Sequence, residues 1–257
     1  RAYDNVIQAA SGLASVQAHP ATGTPELFRT LVCDKATAYT ATQAITAALF
    51  ARATGTAIGQ HIELAMLDTA IAFMWPDSAM DAVLLDDDAT RAPTIASVYN
   101  TVALADGYAA TSVVTESEFR GQCNTFGLPG LADDPRFADA NLRRTNRREL
   151  NAELKEAAAA TTVAQFAERS AQFDLPGATV CTLDELPTDP QVTHNGIFIE
   201  REHPVAGQVR EPRAAARFSE TPQRVSDHAP AFGEHSDEIA SELGLDAAEL
   251  RSAGVIF

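Results

Sequence analysis

The chain has 257 residues, of which 46% are hydrophobic and 21% charged, the composition of a folded protein and not of a disordered one. Lys and Arg number 19 against 35 Asp and Glu, a formal net charge of −16 that argues against a nucleic-acid grip and against docking on an anionic membrane. No apolar run reaches the roughly 18 residues of a membrane span. Cys33, Cys123 and Cys181 are odd in number and far apart, and the six histidines show no HExxH spacing. This usage fits a reducing, cytoplasmic compartment and offers no metal site.

The chain starts at Arg1, without methionine and without a basic start followed by an apolar stretch, so no secretory signal is expected and an N-terminal portion is expected to be missing. Residues 3–16 read as a short helix ending near Gly12 or as a loop leading into one, and HPATGTPE (19–26) as a turn-rich loop. FRTLVCD (28–34) has the short apolar core of a strand or extended lead-in. Asp34 then opens an Ala/Thr-rich helix that stops at Gly55, with Asp34 as N-cap and a face of Ala36, Tyr39, Ala44, Ala47, Ala48 and Phe50. IGQHIELAML reads as a strand entering a helix that Pro76 ends. Residues 77–97 look like a linker, and VYNTVALADGYAATSVV gives two β-like runs around an Asp106-Gly107 turn. Helical material is expected from Glu116 to Phe173, broken at FGLPGLADDPRF. Short strands follow at GIFIEREHP and GQVRE, then an acidic helix at SDEIASELG.

Few residues in this pattern suggest chemistry. A carboxylate at a helix start, as at Asp34, meets unpaired N–H groups and the positive end of the dipole, so it can be a plain cap or a reactive anion. TGTAIGQ matches neither GxGxxG nor a phosphate-loop spacing and reads as a turn. Glu116 and Glu118 suit the first turn of a helix. RRTNRREL (143–150) is either a solvated basic face or a phosphate hold. His194 and His203 lack a paired ligand, and Cys33 has no histidine near it in sequence, so all three read as structural.

The order of motifs carries further. YDNVIQAASGLAS, LVCDKATAYTATQAITAALFARATGTAIGQHIELAMLD, YNTVALADGY, DPRFADANLRRTNRREL, LPGATVCTLDELPTDPQV and APAFGEHSDEIASELGLDAAELRSAGVI together resemble the class III CoA-transferase family, which includes formyl-CoA transferase, carnitine CoA-transferase and α-methylacyl-CoA racemase. The resemblance covers nearly the whole chain and implies an α/β fold. It comprises a Rossmann-like large domain, incomplete here at its N-terminus, and a smaller α+β domain, in an interlocked homodimer. Residues 1–75 would be a large-domain segment, 76–95 a linker, 96–190 the small domain and 191–257 the return to the large domain. Coenzyme A would be a substrate, an acyl-CoA and a free carboxylic acid the partners, with no metal and no permanently bound cofactor.

On this resemblance Asp34 is the catalytic aspartate, attacking the donor thioester, and the backbone N–H of Lys35 helps hold the oxyanion. Arg1 and Tyr3 fall where the formyl-CoA transferases contact CoA. Glu116 falls near an acidic position of the racemases, a possible substrate-pocket group. The racemases carry histidine at the Tyr3 position. A phenol does not exchange protons near neutral pH as an imidazole does, which favours transfer over racemisation. Formyl-CoA transferases have a glycine run before the small domain, whereas TRAPTIASVYN here has none, which implies a different lid and a specificity other than formyl/oxalyl. The alternatives are a racemase using Asp34 as base and a non-catalytic CoA-binding subunit.

Overall fold

The computed structural model describes residues 2–89, 95–97, 99–223 and 228–257. The chain divides into two units, Arg1–Thr179 and Val180–Phe257. The first opens with four helices, α1 (Asp4–Ala10), α2 (Leu13–Val16), α3 (Val32–Ala53) and α4 (Met66–Ser78). Gly12 links α1 to α2 with φ 90°, a left-handed value that glycine adopts without a Cβ clash. Ile7, Leu13, Cys33, Ala70 and Met74 form the core under these helices.

Along the 22 residues of α3 only Cys33 is buried, and Tyr39, Ile45, Leu49 and Phe50 stand exposed. Of the face expected on this helix, Tyr39, Ala47 and Phe50 are exposed, while Ala36, Ala44 and Ala48 are partly buried. Its threonines satisfy themselves: Thr37, Thr40, Thr42, Thr46 and Thr54 each donate a hydroxyl to the carbonyl four residues earlier.

Strands β1 (Val102–Ala103) and β2 (Tyr108–Thr111) form the expected hairpin around Asp106-Gly107. Helices α5 (Glu116–Thr125), α6 (Ala140–Thr145), α7 (Arg147–Ala159) and α8 (Val163–Gln172) follow, and β3 (Gly177–Thr179) completes an antiparallel sheet of order β1-β2-β3. Ala109, Phe126, Ala158 and Phe166 pack on one side of this assembly, and Phe119, Cys123, Phe137 and Leu150 form a second cluster. Asp106 Oδ1 accepts the N–H of Val163 at 2.7 Å, tying the hairpin turn to the start of α8. A Cβ on Gly107 would lie 2.7 Å from Val163 Cγ2, so this turn needs glycine for close approach.

The second unit holds α9 (Pro190–Asn195), the hairpin β4 (Phe198–His203) with β5 (Gly207–Pro212), α10 (Ser236–Glu242) and α11 (Ala247–Ser252). Arg213 donates to the carbonyls of Asn195 and Gly196, closing the C-terminal end of α9.

Several expectations are corrected. Of the two readings of residues 28–34 the strand fails and the lead-in holds for 28–31, where the amide side chain of Gln8 takes up backbone groups that a strand would offer a neighbour. Helix α3 starts at Val32 with Leu31 at the cap, so Asp34 is the third helical residue and not the N-cap. Residues 58–65 run irregularly into α4 without a strand partner among the described residues. Pro76 does not end α4, which continues to Ser78 with the proline inside its last turn. Both described sheets are antiparallel, and no parallel strand pair occurs among the described residues.

Candidate functional site

The sequence at the start of α1 places Asp4 and Gln8 four residues apart, on one helical face. Both are buried, Asp4 at 5% and Gln8 at 1% exposure. Buried polar groups must be hydrogen-bonded, and these are. Gln8 Nε2 donates to Asp4 Oδ1 at 2.5 Å, and Asp4 Oδ2 accepts the backbone N–H of Asp34 at 3.0 Å. A carboxylate on α1 thus caps the first turn of α3 from outside, occupying an N–H that the helix itself cannot pair and complementing the dipole.

The Asp34 side chain is half-buried, and its carboxylate has no hydrogen bond or ion pair among the described residues. It is a carboxylate held by its backbone and left open at its oxygens, the arrangement a nucleophile requires. Lys35 follows it, with Nζ donating to Thr30 Oγ1 at 2.9 Å. The Lys35 N–H, expected to help hold an oxyanion, closes the first helical bond of α3 onto Leu31 O at 3.2 Å. Cys33 is 2% exposed; burial, then the charges of Asp4 and Asp34, push its thiol up from 9.0, so it stays protonated and packs.

Tyr3 precedes Asp4 and is two-thirds exposed, its carbonyl accepting the N–H groups of Val6 and Ile7. Chain adjacency sets it beside the Asp4–Asp34 contact. Arg1 lies outside the described residues, as do residues 90–94 and 98 of the glycine-free stretch. Glu116 is the first residue of α5, and both of its oxygens are engaged by Arg143 at 2.8 and 2.5 Å. Those hydrogen bonds hold its carboxyl below the usual 4.5. The Arg143 guanidinium also lies 4.4 Å over the ring of Phe119. Arg143 is thus engaged in an intramolecular ion pair with Glu116. His203 is structural, its Nδ1 accepting the N–H groups of Val205 and Ala206.

The structure thus brings Asp4, Gln8, Asp34 and Lys35 together at the start of α3, and engages Glu116 with Arg143. Asp4 and Gln8 were missed in the sequence. The signal was the D-x-x-x-Q spacing in a segment otherwise suited to burial. No group of three or more His, Cys, Asp and Glu among the described residues could hold a metal ion, and no helix there is long and apolar enough to cross a membrane.

The family model described as CoA-transferase family III matches residues 1–236. The succinate–glutarate CoA-transferase of Agrobacterium fabrum is 28% identical over 245 residues, covering 94% of this chain and 60% of the relative. The human succinyl-CoA:glutarate CoA-transferase is 29% identical, covering 99% of this chain and 59% of the relative. A crystal structure of a CAIB/BAIF family protein from Brucella suis superposes with a TM-score of 0.74 at 26% identity, covering 94% of this chain and 62% of that one. The chain thus spans about three-fifths of the length of these relatives.

Proposed function

Because the chain belongs to CoA-transferase family III, we propose that it moves coenzyme A from an acyl-CoA to a free carboxylic acid, with Asp34 as the nucleophile. The observation that carries this reading is the half-buried Asp34 carboxylate, unpartnered among the described residues, on a helix turn fixed by Asp4. The names of the relatives support a short dicarboxylate as donor acyl group and acceptor. Tyr3, beside that contact, and Arg1 would meet the CoA moiety, and Glu116 would contribute to the pocket through its pair with Arg143. The reaction would take place in the cytoplasm.

The chemistry divides one poor exchange into feasible steps. An Asp34 oxygen attacks the donor thioester carbon, expelling CoA thiolate and leaving a mixed anhydride. The thiolate attacks the Asp34 acyl carbon of that anhydride, releasing the donor acid as carboxylate and forming an aspartyl-CoA thioester. The acceptor carboxylate attacks this thioester, giving a second mixed anhydride and thiolate. Attack of the thiolate on the acceptor carbonyl yields the new acyl-CoA and frees Asp34. The N–H groups of Asp34 and Lys35 are both engaged, so each tetrahedral oxyanion takes its donors from other groups.

The reading extends to architecture: residues 1–75 and 191–257 in a Rossmann-like large domain, 76–95 a linker, 96–190 the small domain, two copies interlocked. The exposed apolar side chains of α3 support burial against further polypeptide. The test is direct. Supplied with succinyl-CoA and glutarate, the protein should produce glutaryl-CoA and succinate by chromatography, and Asp34→Ala should not. Transfer by Asp34→Ala at the wild-type rate would remove the proposal.

A further inference from the structure

We infer that Gln8 is a positioning residue for transfer, a latch that sets Asp34 through Asp4 and through the segment leading into α3. The inference rests on Asp34 as nucleophile. Four polar partners converge on this one buried amide, three of them sharing the two hydrogens of its NH₂. Nε2 faces Asp4 Oδ1 at 2.5 Å and the carbonyls of Phe28 and Thr30 at 3.2 Å each, while Oε1 accepts the N–H of Phe28 at 2.8 Å. Only one orientation of the amide works. Turned over, its oxygen would face a carboxylate and two carbonyls, and its NH₂ would meet the Phe28 N–H.

The segment Gln8 holds has little else to fix it. Leu27, Phe28 and Leu31 are all exposed, so apolar packing anchors it weakly, and its backbone is clasped by the Gln8 amide. Yet this segment delivers the start of α3: Leu31 supplies the carbonyl that Lys35 bonds, and Thr30 the hydroxyl that meets its ammonium. Among the described residues no hydrogen bond joins the Gln8 side chain to Asp34. Gln8 acts by holding Asp4 Oδ1, which aims Oδ2 at the Asp34 N–H, and by holding the chain four and six residues upstream, at Thr30 and Phe28. A reacting carboxylate displaced by about 1 Å loses on the order of 10²-fold in rate.

The test uses steady-state transfer from succinyl-CoA to glutarate, expressed per folded molecule with the folded fraction read by circular dichroism. Gln8→Met keeps the length of the side chain and removes all four polar contacts. It should lower kcat by about 10²-fold with little change in KM for the donor. Gln8→Glu keeps an acceptor for Phe28 but cannot donate while ionised. Its kcat should therefore recover as the pH is lowered and the introduced carboxyl becomes a donor, a rise the wild type lacks. Asp4→Asn combined with Gln8→Glu exchanges donor and acceptor across the pair and should regain kcat over Gln8→Glu alone at alkaline pH.

A Gln8→Met protein with wild-type kcat, or Gln8→Glu with the pH profile of the wild type, overturns the inference. Should Gln8→Met fail to fold, the pH series and the exchanged pair still decide. Asp34→Ala assayed alongside separates the two claims: an inactive Asp34→Ala with a fully active Gln8→Met removes the latch alone, and an active Asp34→Ala removes the nucleophile on which it rests.

Discussion

Asp4 and Asp34, thirty residues apart in sequence, meet through a single bond in which the buried Asp4 carboxylate accepts the backbone N–H of Asp34 at 3.0 Å. The helix bearing the reactive carboxylate is thus capped by an acid from another helix, and the Asp34 side chain is released from capping. Asp4→Ala should cost about 1 kcal/mol or more of stability, the usual loss for a removed cap, while Asp4→Asn retains an acceptor and costs less. Urea titrations of the two variants measure the difference. Equal stability of both with wild type would show that the bond does not hold α3.

The same relationship makes a second claim about Asp34 itself. Its carboxylate has no partner among the described residues, so Asp34→Asn should leave stability within about 0.5 kcal/mol of wild type. Transfer should nevertheless fall by a factor of about 10⁴, equivalent to roughly 5.5 kcal/mol of barrier. A variant that loses stability in proportion to activity would instead mark Asp34 as structural.

How much of this was legible in the sequence differs residue by residue. Asp34 stood out by its place before an Ala/Thr-rich helix, and the Asp106-Gly107 hairpin by its turn chemistry. The cap was misassigned because the helix begins two residues earlier than the acid, and cap identity depends on backbone geometry that composition does not fix. FRTLVCD reads as a strand or an extended lead-in, and propensity alone does not choose; Gln8 decides by taking up the backbone of Phe28 from twenty residues away. Glu116 looked like a first-turn acid, which it is; its pairing with Arg143, 27 residues on, is a tertiary fact.

That pairing has a pH signature. Hydrogen bonds from Arg143 lower the Glu116 pKa in the folded state, so the pair stabilises the fold fully above the ordinary value of 4.5. The contribution is lost as pH falls from there through the folded value. Glu116→Gln should therefore be less stable than wild type at neutral pH, and the two should converge in acid. Raising the salt concentration should narrow the neutral-pH gap, since the pair is exposed on the Glu116 side. Thermal melts across the acid range check this; parallel curves at every pH would contradict it.

The hairpin turn offers a packing test. Gly107→Ala would push a Cβ to 2.7 Å from Val163 Cγ2, and overpacking of this kind costs about 1–3 kcal/mol. Val163→Ala removes the obstructing methyl, so the double variant should recover part of the loss. A double-mutant cycle by chemical denaturation gives the coupling, and strict additivity would place the clash elsewhere.

The most direct measurement of the central claim is chemical capture of the acylated carboxylate. Hydroxylamine added with succinyl-CoA should convert the activated Asp34 side chain to a hydroxamate, found by mass spectrometry on the peptide containing Asp34 and absent when the donor is left out. Turnover of the donor with that peptide unmodified, or full transfer activity in Asp34→Asn, would contradict a covalent aspartyl mechanism.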